Sequence, residues 1–455
     1  MHVHERESDH GAGTRWTDDE FRRLRGMGDP EMDGLVAARR RADPSLRAPT
    51  ALMGSLMKEL GAEPEGALGG LAAGITPPAW GRDRQRIERG QRIFTDYGLY
   101  QAAALFFACL PLAYAAPAGA KVLIHASDLA NGQVSRRLAQ TGQMLIDLMG
   151  MREPADGEPA SLEPGGRGLR SAIGLRLLHS CVRAVVLDLE EERAWDAAAY
   201  GPPVNQELLL ATLLDFSLVT WEVMERMGVP TGDGDREANL YTWSVFGHLM
   251  GVESCRHGPL TLADADVVGD RMGRLFESTE EGRRLMAALL EEMEDFMFLG
   301  CRKLPRSLIH WLFRETDAGV AEVPRLLGVP RPAWWSAPLF ATAAAAQRFS
   351  WLPDPLRPVV RRLIRKAGRA VVIAYADRHA GGPAPFQIPA EVARGWRIRQ
   401  RPAARQVRDV RRHLRDAARA PLRPLRQAAG RRKEEALRHG SPRTRNADHR
   451  HSPVH

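Results

Sequence analysis

An all-α, multi-helix fold is predicted for this 455-residue chain by three observations. Apolar residues recur at helical spacing through most of 80–300, strands with period-two alternation are scarce, and Gly/Pro-rich stretches separate runs of helix length. No heptad repeat persists, so the helices are expected to pack ridges-into-grooves in one large globular body. A hydrophobic content of 44% suffices for such a core.

The elements follow in order. Residues 1–15 are polar and His-rich and read as disordered. Thr17-Asp-Asp-Glu20 is a capping-box pattern that starts a short helix, Phe21–Met27. Gly28-Asp29-Pro30 breaks it, and Glu31–Arg41 restarts as an amphipathic helix. Pro/Gly-rich segments follow over Glu63–Pro78. Helices are then predicted over Arg84–Tyr97, Leu99–Leu110, Ser127–Met149, Arg170–Arg193, Gln206–Met227, Asp235–Met250, Ala263–Leu275 and Glu280–Phe298. The Leu99–Ala116 run is interrupted by Gln101 and Pro111 and reads as a buried helix ending near Pro111, not a membrane span. The organisation is therefore 1–15, a helical domain over 16–330, a helical extension over 331–388, and a basic, partly disordered tail over 389–455.

Charge is unevenly spread. The net charge is +8, yet residues 391–455 hold 19 Lys+Arg against 6 Asp+Glu, leaving the body at −5. The tail's arginines lack interleaved aromatics and match no recognition module, which argues against nucleic acid as the primary partner. The stretch Leu356–Lys366 is basic and amphipathic, so peripheral contact with an anionic membrane through 356–366 is an alternative to a solvated helix. Cys109, Cys181, Cys255 and Cys301 form no CxxC pair. They read as buried thiols in a reducing compartment. Met1–Arg15 has no apolar segment of the secretory kind, so a cytoplasmic protein is expected.

Several common machines are absent: no P-loop, no dinucleotide-binding glycine fingerprint, no HExxH and no GxSxG. Glu-x-x-His occurs only as Glu7-Ser-Asp-His10 in the disordered N-terminus, which disfavours a di-iron bundle. What remains centres on His179, in the apolar run Ile173–Leu187. It is either a packed core histidine or a metal ligand. Arg176 and Arg183, three before and four after, share its side of the helix. Either they favour the neutral, ligand-competent imidazole or they are solvent-facing. Upstream, Arg137, Gln140 and Thr141 share a face of another helix. His248, in Phe246-Gly-His-Leu-Met-Gly251, is the rival ligand, otherwise a packed residue. His125 reads as a loop histidine. Asn205-Gln206-Glu207 reads as the cap of the following helix, and Tyr241 and Trp243 as core.

Taken in order, Gly28-Asp29-Pro30, Arg137-Leu-Ala-Gln-Thr141, Leu177-Leu-His-Ser-Cys-Val-Arg183, Trp195, Gly201-Pro-Pro-Val-Asn-Gln-Glu207 with Thr212 and Phe216, Tyr241-Thr-Trp243 and Gly247-His-Leu-Met-Gly251 form a pattern. This pattern resembles the rubber oxygenase and MpaB oxygenase family, over about 16–329. The resemblance implies a globin-like helical core holding haem b, with His179 as the iron ligand. It implies roles for Arg137 and Thr141, with Gln140, beside bound dioxygen or the propionates, and for Arg183 and His248 at the cofactor. Two departures stand out. Gln140 occupies the place of a lysine found before the threonine in rubber-cleaving members, and their upstream acid has no counterpart, since Ala102–Ser127 contains no Asp or Glu. Haem binding thus carries over better than polyisoprene cleavage. The latex-cleaving members are also secreted.

Two functions stay open from the sequence. One is a haem-dependent oxygenase that acts with dioxygen on an apolar, isoprenoid or other alkene-bearing small molecule, by oxidative C=C cleavage. The other is a haem- or lipid-binding sensor or carrier without turnover. The oligomeric state is not fixed by either.

Overall fold

A computed structural model describes residues 15–46, 49–62, 65–126, 134–152, 157–191, 195–229, 232–296, 302–314, 316, 318–347 and 373, with some side chains inside these ranges left aside. All of them lie in the first of two units of the chain, Met1–Arg399, and the second, Gln400–His455, is outside the described residues. The segment 356–366, Cys301 and the predicted disorder at 1–14 and in the tail also fall outside them. Every described regular element is a helix, and no strand occurs among these residues.

The helices are α1 (Asp18–Arg25), α2 (Pro30–Ala42), α3 (Pro49–Ala62), α4 (Ala67–Gly74), α5 (Arg84–Asp96), α6 (Gly98–Ala104), α7 (Leu110–Ala115), α8 (Pro117–Ala126), α9 (Val134–Leu148) and α10 (Arg167–Glu191). There follow α11 (Ala197–Tyr200), α12 (Gln206–Leu214), α13 (Thr220–Arg226), α14 (Asp233–Leu249), α15 (Leu262–Gly273), α16 (Glu280–Phe296), α17 (Leu304–Phe313), α18 (Ala318–Ala321), α19 (Val323–Leu326) and α20 (Ser336–Gln347). Thr17 caps α1 through a bond from the Glu20 amide, as its sequence pattern predicts. Asp29 caps α2 with Pro30 in its first turn, where a missing N–H costs nothing.

One expectation about the helices is corrected. The helix through Leu99–Leu110 does not end near Pro111. It runs on to Ala115, because a π-helical turn over Leu105–Cys109 comes just before the proline. The amide of Leu110 bonds the carbonyl of Leu105, five residues back, so the ladder shifts where the proline has no N–H to give. A matching π-turn, Asp215–Val219, interrupts the second long helix between α12 and α13, and the two π-turns pack together. The Pro/Gly-rich 63–78 stretch includes a helix. Ala67–Gly74 is helical despite its glycines, because Leu68 and Ala72 are buried in the core.

The largest core cluster joins α1, α9, α10, α12, α14 and α15 around Trp243, Ile146 and Leu210. A second joins α6 to α8 with α16, α17 and α19. Between them, α8 and α9 each pack against both α10 and α16, so these four helices close a ring. Gly98–Ala115 is the one described helical stretch long and apolar enough to cross a membrane, and half of it is buried inside the protein.

Candidate functional site

Helix α10 is the centre of the arrangement. His179 lies on it, half-buried with its Nδ1 shielded from solvent, and shares a face with Ala172 and Val186, both fully buried. On one flank are Leu175 and Val182, packed into apolar clusters. On the other are Arg176 and Arg183.

Those arginines neither face solvent nor leave a bare charge beside the imidazole, contrary to both sequence expectations. Arg176 donates from Nε and Nη2 to the Asp29 carboxylate at 2.5 and 2.8 Å and from Nη2 to Glu31 at 3.0 Å. Arg183 donates to Asp33 at 2.6 Å and to the carbonyl of Val204 at 2.8 Å. Both are buried. Burial pulls the Arg183 guanidinium below its ordinary value, against the attraction of Asp33 and Asp29. The reason the arginines stay inside is that α2 supplies three carboxylates to them, and their own helix supplies none.

The scattered motif pieces meet at this clamp. A side chain on Gly28 would place its Cβ 2.7 Å from Asp33 Oδ2 and 2.8 Å from Arg183 Nε, so only glycine fits. Gly251, at φ +76°, lets its backbone approach Arg176, whose Nε would lie 2.6 Å from a Cβ there. Gln206, 1% exposed, donates to the carbonyls of Gly28 and Gly251, both at 2.9 Å, and accepts from the Glu253 amide at 2.8 Å. Asn205 caps α12 through the Leu208 amide, as expected. Glu207 does more than cap: it pairs with Arg25 at 2.6 and 3.0 Å. Val204 holds a left-handed φ of 51°, rare for a β-branched residue, with its carbonyl on Arg183.

Helix α9 packs along α10. Asp147 accepts from Ser171 Oγ at 3.1 Å and from Gln143 at 2.8 Å, at the turn end of this antiparallel pair. Gln140 and Thr141 are exposed, and the Arg137 side chain is outside the described set. The run and His179 thus lie on two helices that pack against each other. Burial raises the Asp147 carboxyl to about 6, its two hydrogen bonds opposing the rise.

His248 lies on α14, half-buried, edge-on to Trp80 at 6.1 Å. Its Nδ1 is 3.3 Å from the Cys255 carbonyl, the geometry of an N–H donor, which leaves Nε2 with the lone pair. Burial lowers its pKa, with the Arg256 and Arg176 charges adding to the effect. It thus sits on the α14 side of Arg176, and His179 on the α10 side. Tyr241 donates to the Trp80 carbonyl at 2.5 Å, and Trp243 stacks on Phe216 at 5.1 Å, so both act as core. His125 is on α8, not in a loop.

Residues that sequence reasoning missed are mostly acids. Asp33 and Glu31 carried the spacing of a helix facing another helix, but their partners lie about 150 residues away. Glu281 of α16 reaches Lys121 of α8 at 2.7 Å, so a carboxylate is brought to the acid-free α8 from outside its own segment. The Lys121 ammonium holds the Glu281 carboxyl below its usual range. Asp215, in the second π-turn, is pushed well above the usual carboxylate range by burial alone. Among the described residues no three of His, Cys, Asp and Glu converge as a metal cage.

An all-helical domain with a lone histidine on its central helix is the class defined so far. The family described as ER-bound oxygenase mpaB/B'/rubber oxygenase, catalytic domain, matches residues 92–438, about three quarters of the chain. The protein belongs to this family of oxygenases and is an oxidoreductase. It is similar to a rubber oxygenase of Streptomyces sp. (strain K30), with 25% identity over 304 residues, 66% of this chain and 69% of that one. A latex clearing protein solved in its closed state shares the fold, with a TM-score of 0.56 and 22% identity over 77% of this chain and 91% of that one.

Proposed function

We propose that this protein is a haem-dependent oxygenase acting on an apolar, alkene-bearing small molecule. The observation that carries the reading is His179, a half-buried imidazole between an apolar flank and two arginines whose charges α2 has already neutralised. That environment suits haem b. The porphyrin supplies four ligands to iron, so one protein nitrogen completes the anchor. When bound, haem would supply the one-electron chemistry that ground-state dioxygen requires.

The chain's own residues would do the rest. His179 would hold the iron, and Arg137, Gln140 and Thr141, on the neighbouring helix α9, would donate hydrogen bonds to oxygen atoms of dioxygen or of the propionates. Arg183, tied to Asp33 and the Val204 carbonyl, would act by holding α10, and His248 is the alternative cofactor ligand. The ring of α8, α9, α10 and α16 would keep water from the reacting double bond. In oxidative cleavage both atoms of one dioxygen enter the product. The C=C bond breaks, each carbon takes one oxygen, and two carbonyl compounds leave with no external reductant consumed. The buried thiols Cys109, Cys181 and Cys255 support a reducing, cytoplasmic setting.

The test is to express the chain with a haem precursor, record the visible spectrum before and after dithionite, and supply an apolar polyene under ¹⁸O₂. A histidine-ligated haem spectrum with two labelled carbonyl products supports the reading. A protein that cannot be loaded with haem refutes it. A loaded protein without turnover selects the second reading, a haem- or lipid-binding carrier or sensor, which the acid-free stretch Ala102–Ser127 favours.

A further inference from the structure

The second π-turn, Asp215–Val219, holds polar groups that the reading above does not use. Burial is the sole influence on the Asp215 carboxyl and pushes it well above the usual carboxylate range, yet the residue keeps accessible surface. A side chain deep in the protein that still reaches open space lines an internal cleft. Its partner turn brings the Cys109 thiol, which donates to the Asp215 carbonyl at 3.0 Å, and no cation.

Two side chains of α14 are aimed at the same turn. Asn239 and Trp243, each 1% exposed, lie four residues apart and share a face of the helix. Asn239 Nδ2 donates to the Ser217 carbonyl at 2.9 Å, and the Trp243 ring stacks on Phe216 at 5.1 Å. Among the described residues, Asn239 Oδ1 and Trp243 Nε1 are buried with no hydrogen-bond partner. One is an acceptor and the other a donor, and native interiors rarely leave such atoms unanswered. The surroundings are apolar. Leu105 of the first π-turn, Met144 of α9, Leu175 of α10 and Phe216 are half-buried and pack against the core cluster around Trp243. Leu175 lies one turn before His179, so this lining runs from the helix of the candidate iron ligand to the second π-turn.

Chemistry selects the occupant. A hydroxyl accepts from Trp243 Nε1 and donates to Asn239 Oδ1, answering both atoms at once. A hydrocarbon end answers neither. A carboxylate has no proton for Asn239 Oδ1 and would bring a buried charge that no cation meets. We infer that the second π-turn holds the hydroxyl end of an alkene-bearing alcohol, with Asn239 and Trp243 as the residues that select it. The inference rests on the oxygenase reading for the alkene and extends it to the polar end of the substrate.

Binding is measured without dioxygen on full-length protein, with farnesene, farnesol and farnesoate delivered from cyclodextrin. No turnover intervenes and the protein is used with or without haem, so the result is separate from that of the labelled-product test. The expected result is farnesol binding about tenfold more tightly than farnesene, the worth of one or two hydrogen bonds, and more tightly than farnesoate. Trp243→Phe keeps an aromatic ring without the N–H, and Asn239→Leu keeps the shape without the amide. Each should remove most of the farnesol preference and leave farnesene affinity unchanged, with circular dichroism checking the fold. Equal affinities for farnesene and farnesol would show that water alone answers the two atoms and overturn the proposal. So would no farnesol binding, or a farnesol preference that survives in whichever variant folds.

Discussion

Arg176 of α10 and Asp29 at the start of α2 form a buried, two-pronged ion pair at 2.5 and 2.8 Å across 147 residues of sequence. It lies one turn before His179, and the Arg183–Asp33 pair lies one turn after, so the histidine's helix is pinned to α2 on both sides of it.

Removing one partner of such a pair leaves a buried charge uncompensated. Asp29→Ala is expected to cost about 3–5 kcal/mol of stability, and Arg176→Met/Asp29→Leu markedly less, because no orphan charge remains. Denaturant titration of the two single variants and the double variant measures the difference directly. A double variant as unstable as the sum of the singles would show that the pair does not act as a unit.

The two glycines that make room for the clamp should be intolerant. Gly28→Ala and Gly251→Ala each push a methyl group against a clamp arginine, and the second also meets a left-handed backbone. A loss of about 1–3 kcal/mol each is expected, as for overpacking of a filled interior. Gly34→Ala, where nothing lies within 4 Å, serves as the control and should be neutral or slightly stabilising.

These glycines show how much of the site was legible in the sequence. Local patterns fixed the helices well: caps at Thr17 and Asn205 behaved as their side chains predict. His179 stood out because an imidazole in an apolar run is chemically conspicuous. Arg176 and Arg183 were visible as its neighbours on one face, but not as clamp residues. Their partners lie on α2, and a solvent-facing arginine and a buried, paired one look alike in one dimension. The π-turn before Pro111 was equally hidden. A proline signals the end of an α-helix, and only packing of the second π-turn against it shows why the helix continues.

Gln206 should behave as a bracket joining three loops. Gln206→Ala removes bonds to two carbonyls and one amide and leaves those backbone groups buried. A loss of about 2–4 kcal/mol is expected, with faster hydrogen exchange at the Glu253 amide. Unchanged exchange there would place the bracket elsewhere.

Asp147 gives the fold a pH signature. Its folded carboxyl titrates at about 6, above its ordinary 3.8, because burial disfavours the charge. The protonated form is the one folding favours, so its contribution is fully present below about pH 4 and lost as pH rises through 6. Relative to wild type, Asp147→Asn should gain about 2–3 kcal/mol between pH 4 and pH 7. A stability difference flat across that window would show that the carboxyl titrates normally.

The central claim is that His179 holds the haem iron, and the most direct measurement is the visible spectrum of His179→Gly purified after expression with haem precursor, without and then with added imidazole. The expected result is loss of the histidine-ligated spectrum, with haem content falling, and its return when imidazole fills the space left by the side chain. A variant that keeps full haem with an unchanged spectrum, while wild type carries haem, would contradict the claim and move the ligand to another residue, with His248 the first to test.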